Sequence, residues 1–240
     1  MNSELLQLID RIAALPQDWH GAGTVRREVL LAIGRHCDGI GVKYSAETGV
    51  GRSTLLFSHL SDKHLTFAVD DGMSLSQTKS SSLLNIDCVT FIEGPTQKTL
   101  PAYEFNNKLQ AVLIDGPHGY PFPDLEYFYF YPFLDTGGLL ILDDINIPSI
   151  GRMFDILKVD PMFELAETIY DTAFFRRTSA PMIDPYSDSW WLQGYNRKCF
   201  EQITSPKFFR RCIRRISKMT PQSVKDSLPY SLKKRLIKIR

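Results

Sequence analysis

The segment Glu47-Thr48-Gly49-Val50-Gly51-Arg52-Ser53-Thr54 decides the fold. The stretch before it, 42–47, reads as a short strand, and the stretch after it, 53–60, reads as a helix. A glycine-rich turn between a strand and a helix is where open α/β sheets take their ligands. Gly49 and Gly51 let the backbone approach a ligand with no Cβ in the way. Asp70 follows Gly49 by 21 residues, at the end of the next expected strand. A carboxylate in that position can accept both hydroxyls of a ribose.

Outward from this turn, short strands and helices alternate. Strands are expected at 42–47, 64–70, 88–93, 110–115, 139–143, 163–170 and 173–178. Helices are expected at 53–60, 74–84, 96–107, 123–134 and 149–159. Repeated strand–helix units imply a parallel sheet covered on both faces. The last two strands leave no room for a crossover helix, so they must form an antiparallel hairpin. The expectation is therefore an α/β, Rossmann-like fold with a seven-stranded, mostly parallel sheet, a C-terminal antiparallel hairpin and helices on both faces. Two helices precede the sheet. One carries Leu5, Leu6, Ile9, Ile12 and Ala13 and stops at Pro16; the other is capped by Thr24 and carries Val25, Val29 and Ile33. His20, in the loop between them, is a candidate substrate contact.

The turn differs from a nicotinamide-dinucleotide fingerprint in two ways. A carboxylate leads it, and Thr54 stands where a third glycine would be. A dinucleotide needs a helix N-terminus against its pyrophosphate. S-adenosylmethionine carries no phosphate and a cationic sulfonium, which suits an acidic turn. An NAD(P)-linked oxidoreductase is the alternative in another reaction class, and a non-catalytic, membrane-associated binding module of the same fold is a second.

Asp115 ends one expected strand, and Asp143 and Asp144 end the next. Neighbouring strands lie about 4.8 Å apart, so these carboxylates should converge at one edge of the sheet. Clustered carboxylates repel unless a cation or proton neutralises them. Their hard oxygen atoms suit Mg²⁺ or Ca²⁺.

In order along the chain, several motifs resemble those of class I S-adenosylmethionine-dependent methyltransferases. They are Glu47-Thr48-Gly49-Val50-Gly51, the strand ending in Asp70, and Val89-Thr90-Phe91-Ile92-Glu93-Gly94-Pro95-Thr96-Gln97. Leu113-Ile114-Asp115-Gly116-Pro117-His118-Gly119-Tyr120 and Gly137-Gly138-Leu139-Leu140-Ile141-Leu142-Asp143-Asp144 resemble the bacterial small-molecule O-methyltransferases, the macrolide-sugar type above all and the catechol type more distantly. The resemblance implies a domain over 39–200, with the N-terminal helices in 1–38 and a basic extension in 201–240. It implies that Glu47, Gly49 and Gly51 form the turn that holds the methionine portion. Asp70, or Asp71 in its place, would bind the ribose, Thr96 and Gln97 would lie beside the adenine, and Asp115 would border the cofactor. It also implies a divalent cation on Asp115, Asp143 and Asp144, with His118 as the general base. A histidine can remove a hydroxyl proton near neutral pH. The implied reaction is methylation of a hydroxyl on a small molecule or a glycan. Arg52 and Ser53 depart from the small or aromatic residues common at their positions.

Composition bounds the remaining choices. Hydrophobic residues make up 43% of the 240 and charged residues 23%, a globular balance. No apolar run approaches the roughly 18 residues of a membrane span. The start lacks a signal-peptide layout, and the widely spaced Cys37, Cys88, Cys199 and Cys212 suit a reducing cytoplasm. The net charge of +1 conceals an asymmetry. Residues 201–240 hold 12 Lys/Arg against 2 Asp/Glu, which leaves the rest of the chain at −9. In that tail Phe208, Phe209, Cys212, Ile213, Ile216 and Met219 share a helical face, with basic residues over most of the remainder. Such a helix, over 206–219, is expected to touch a membrane surface or a partner, at the inner face of the membrane if the chain is cytoplasmic. No nucleic-acid reading module is recognisable. The aromatic run from Tyr120 to Phe133 is expected to be core or homo-oligomer contact. Tyr120 is a candidate for the acceptor pocket, and Ser189-Trp190-Trp191-Leu192-Gln193-Gly194-Tyr195 for a lid.

Overall fold

The computed structural model describes residues 1–19 and 25–204. Contacts divide the chain into two compact units, Met1–Asp188 and Ser189–Arg240. The first unit is built on seven strands: β1 (Tyr44–Thr48), β2 (Lys63–Ala68), β3 (Val89–Glu93), β4 (Leu109–Ile114), β5 (Leu134–Leu142), β6 (Phe163–Ile169) and β7 (Thr172–Arg177). Their order across the sheet is β3-β2-β1-β4-β5-β7-β6. Five strands are parallel, while β7 pairs antiparallel with both β5 and β6. This is the expected mostly parallel sheet with its terminal hairpin. Order reverses between the adjacent β1 and β4, so the C-terminal ends of these two strands form the crevice where such sheets bind ligands.

The strands owe their buried position to two-residue periodicity. On β4, Ala111 and Leu113 face one core, and Val112 and Ile114 face the other. On β5, Leu139 and Ile141 divide from Leu140 and Leu142 in the same way. The first core is closed by α1 (Ser3–Ala13), α2 (Arg27–Asp38) and α3 (Arg52–Leu60), through Ile9, Ile12, Leu30, Ile33, Leu55 and Phe57. The second is closed by α5 (Thr96–Ala102), α6 (Phe122–Phe130) and α7 (Pro148–Leu157), through Leu100, Phe130, Ile150 and Met153. Phe67, fully buried on β2, meets Tyr103, Phe105 and Phe130 there.

Several boundaries differ from the expected ones for local reasons. The helix expected over 74–84 is shorter, α4 (Ser74–Ser80). Its serines bond back to the chain, Ser76 to the Met73 carbonyl and Ser80 to that of Gln77, which competes with helix propagation. Pro101 lies in the last turn of α5 and cannot donate, so that helix stops at Ala102 rather than near 107. Strand β5 begins five residues early, at Leu134, because Gly137 takes a positive φ of 82° and lets an irregular stretch stay in the sheet. α2 follows Arg26, which makes no side-chain cap bond. Thr24 and His20 lie outside the described residues.

In the second unit, a short turn at Trp190–Leu192 leads into α8 (Gly194–Thr204). Trp190 and Trp191 are exposed and meet edge to face. The basic amphipathic segment expected over 206–219 lies outside the described residues. Among those described, no helix is long and apolar enough to cross a membrane.

Candidate active site

A cavity of about 400 Å³ opens at the C-terminal ends of β1 and β4. Its walls include Gly49, Val50, Gly51, Arg52 and Ser53 from the turn, Ala68 and Val69 after β2, and Thr96 at the start of α5. Asp115, Gly116, Pro117 and His118 come from the loop after β4, Asp143 and Asp144 from the end of β5, and Asp171 and Thr172 from the β6–β7 hairpin.

The turn is held from beneath. Glu47 is fully buried and does not line the cavity. Its Oε1 accepts from the hydroxyls of Thr54 and Thr66 and lies 3.1 Å from Nε2 of buried His64. The Thr54 hydroxyl accepts in turn from the Gly51 N–H at 2.9 Å. The threonine in place of a third glycine therefore ties the turn to the carboxylate below it. Glu47 supports the turn from beneath the cavity wall.

The loop after β4 packs on the turn. Gly49 has a φ of +89°, and a Cβ there would lie 2.4 Å from the Asp115 carbonyl oxygen. The Thr48 hydroxyl accepts from the Asp115 N–H at 3.1 Å and donates to Glu126 at 2.8 Å. Glu126 is fully buried on α6, and a Cβ on Gly116 would come within 2.4 Å of its Oε1. Burial pushes the Glu126 carboxyl up to about 7, against hydrogen bonds from Thr48 and Thr96. Sequence reasoning passed over Glu126 as one acid in an aromatic helix. The available signal was its setting: a carboxyl among Phe122, Leu125, Tyr127 and Phe130 must be buried and must find donors.

The acidic edge of the sheet converges as its sequence implied, but with a different membership. Nε2 of His118 lies 3.5 Å from Asp115 Oδ1 and 3.4 Å from Asp144 Oδ2. One donor atom from each of these three residues falls within 4.8 Å of the others. Asp144 adopts φ = +56°, the left-handed conformation that aspartate tolerates better than most residues. Asp143 lines the cavity without joining this trio, since its Oδ1 is engaged by the Thr172 hydroxyl. Burial raises the carboxyls of Asp115 and Asp143 above the usual range. The neighbouring Asp115 raises His118, against its own desolvation.

The remaining expected contacts separate. Thr96 is buried at the cavity wall, whereas Gln97 is exposed and away from it. Asp70 lies just beyond β2, exposed, and accepts from the Gly72 N–H. The carboxylate of Asp71 caps α4 through the N–H groups of Met73 and Ser74 and the Ser74 hydroxyl. Desolvation acts upward on Asp71, and these hydrogen bonds outweigh it and lower its pKa. Tyr120 is 71% exposed and outside the cavity lining. In the aromatic run, Phe130 and Tyr131 are core residues.

Comparison with known proteins follows this geometry. The methyltransferase-domain family matches residues 46–145, from the middle of β1 to just past the acidic edge. No curated protein matches the chain. Among solved structures, the chain is similar to a Podospora anserina methyltransferase bound to S-adenosylhomocysteine, at 15% identity and a TM-score of 0.54, over 75% of this chain and 89% of that one. It is similar to a Bacillus cereus O-methyltransferase in complex with S-adenosylhomocysteine, at 14% identity and a TM-score of 0.53, over 75% of this chain and 92% of that one. A third similar structure is a Streptomyces achromogenes O-methyltransferase involved in tomaymycin synthesis, in complex with S-adenosylmethionine, at 15% identity and a TM-score of 0.52, with the same coverage of 75% and 92%. At such identities the structural likeness speaks for the fold, and the family match speaks for the segment that builds the cavity. Residues 46–145 are thus similar to a methyltransferase domain, and the described sheet shares its fold with the methyltransferases named above.

Proposed function

We propose that this chain is an S-adenosylmethionine-dependent O-methyltransferase acting on a hydroxyl of a small molecule or sugar, with a divalent cation at the acidic edge. The observation that carries this reading is the convergence of Asp115, His118 and Asp144 in the same cavity as the Gly49–Gly51 turn. The donor set fits a hard cation, with the carboxylates of Asp115, Asp143 and Asp144 lining one edge of the cavity. Asp115 and Asp144 would hold the ion, joined by the oxygen of Asp143 that Thr172 leaves unclaimed. When bound, the cation supplies Lewis-acid polarisation of the acceptor oxygen, and S-adenosylmethionine supplies the electrophilic methyl group.

The chain's own residues do the rest. The turn at Gly49 and Gly51 would present backbone to the cofactor, Asp70, exposed just beyond β2, would bind the ribose, and Thr96 would border the adenine. His118 takes the acceptor's proton at Nε2, and the adjacent Asp115 stabilises the imidazolium that results. Glu126 and Thr48 hold the Asp115 loop in register with the turn. Calorimetry with S-adenosylhomocysteine tests the cofactor assignment: micromolar-range binding that Asp70→Ala weakens is expected. Absence of heat from the folded wild-type protein would sink it.

A further inference from the structure

Arg52 is the least expected residue of the turn. It occupies the first position of α3, is 5% exposed, and lines the cavity beside Gly51 and Ser53. Its Nη2 donates to the carbonyls of Leu15 at 2.5 Å and Pro16 at 3.1 Å. Its Nε is buried and has no hydrogen-bond partner. No carboxylate among the described residues pairs with it; Glu47, the nearest acid along the chain, spends its bonded oxygen on Thr54 and Thr66. A guanidinium stays charged at any physiological pH. Two carbonyls satisfy one nitrogen but bring no opposing charge, so an anion at the cavity wall would offset the remaining cost of burying this cation.

The surroundings specify the anion. The first-turn N–H groups of a helix have no intrahelical acceptor and carry partial positive charge, so the start of α3 adds to the field of Arg52. A planar carboxylate matches both the guanidinium fork and this helix end. The acids of the cavity, Asp115, Asp143 and Asp144, belong to other elements. The site therefore offers a cationic wall at the turn and an anionic wall at the sheet edge, which suits a ligand carrying charges of both signs.

We infer that Arg52 anchors the α-carboxylate of the cofactor's amino-acid end, an assignment that rests on the S-adenosylmethionine reading above. Arg52 thereby fixes how deep the methionine portion sits against the turn. The carbonyls of Leu15 and Pro16 hold one nitrogen of the fork and leave the others to the ligand.

The test compares S-adenosylhomocysteine with its decarboxylated analogue, by calorimetry, on wild type, Arg52→Lys and Arg52→Gln. Wild type should prefer the carboxylate-bearing compound by about 10- to 100-fold, the range for a charge-assisted hydrogen-bonded pair. Arg52→Gln should bring that ratio close to unity while leaving affinity for the decarboxylated compound nearly unchanged, and Arg52→Lys should fall between. Equal binding of the two compounds by wild type, or equal weakening of both by Arg52→Gln, would overturn the assignment. Because the wild-type ratio needs no variant, a substitution that unfolds the protein does not remove the test. Wild-type protein that bound neither compound would instead defeat the cofactor reading itself, and this inference with it.

Discussion

Gly49 and Asp115 are in backbone contact: a Cβ at Gly49 would lie 2.4 Å from the Asp115 carbonyl oxygen. Two segments 66 residues apart in the chain thus form one surface, the glycine turn on one side and the acidic loop on the other. Gly49→Ala must strain a left-handed φ and also push the two segments apart. The expected outcome is a stability loss on the order of 2–4 kcal/mol in urea titration, with S-adenosylhomocysteine binding reduced at least about tenfold. Gly41→Ala serves as the control, since it also has a left-handed φ, of +62°, but nothing within 4 Å of an added Cβ, and it should leave binding unchanged. A Gly49→Ala protein with wild-type stability would show that the contact is not as close as described.

Glu126 predicts a pH dependence of stability. Its carboxyl titrates near 4.5 when unfolded and at about 7 when folded. Between those values the folded state binds more protons than the unfolded state, so stability falls as pH rises. The contribution is fully present below about pH 4.5 and lost as pH passes about 7, an effect on the order of 3 kcal/mol. Glu126→Gln keeps a carbonyl for Thr48 and removes the titration. Urea midpoints measured between pH 5 and 8 should therefore slope less in the variant, and parallel slopes would contradict the burial of an ionisable Glu126.

His118 predicts a separate dependence, in turnover. The imidazole acts as a base only when neutral, and Asp115 raises its pKa above the usual value of 6.5. The turnover number should fall as pH drops through that raised value. His118→Ala should lower turnover by about 10²- to 10⁴-fold and abolish this acidic limb. Affinity for S-adenosylhomocysteine should stay within about twofold. Equal losses of turnover and affinity would assign His118 to binding rather than to proton transfer.

Asp144 predicts a metal readout that needs no acceptor substrate. Mn²⁺ titration followed by electron paramagnetic resonance should show one bound ion per chain, and Asp144→Asn should weaken it by at least about tenfold, as expected for loss of a charged ligand. Asp143→Asn should weaken it less, because one Asp143 oxygen is already held by Thr172. The reverse order would place Asp143 ahead of Asp144 in the site.

The alternation of strands and helices, the glycine turn and the strand-end acids were legible along the chain because each is a local pattern. Two-residue periodicity on β4 and β5 assigns side chains to two faces wherever both faces are covered. The closeness of the last two strands along the chain leaves room only for an antiparallel hairpin. Asp115 and Asp144 could be expected at one edge because parallel strands end side by side.

Which acids meet, and which buried groups serve them, was decided by the tertiary structure. Asp143 and Asp144 are neighbours in sequence, yet only Asp144 reaches His118, because its left-handed backbone and the hold of Thr172 on Asp143 separate their carboxylates. Glu126 reads as one more helix residue until α6 packs it beneath Gly116 and against Thr48. Arg52 reads only as a departure in the turn until the segment after α1 supplies the carbonyls of Leu15 and Pro16. The sequence by itself determined the layered sheet and the place of its ligand crevice, since backbone periodicity and connection length act over a few residues. The charge state and pairing of the crevice walls depend on burial and on partners tens of residues away, and only folding brings those together.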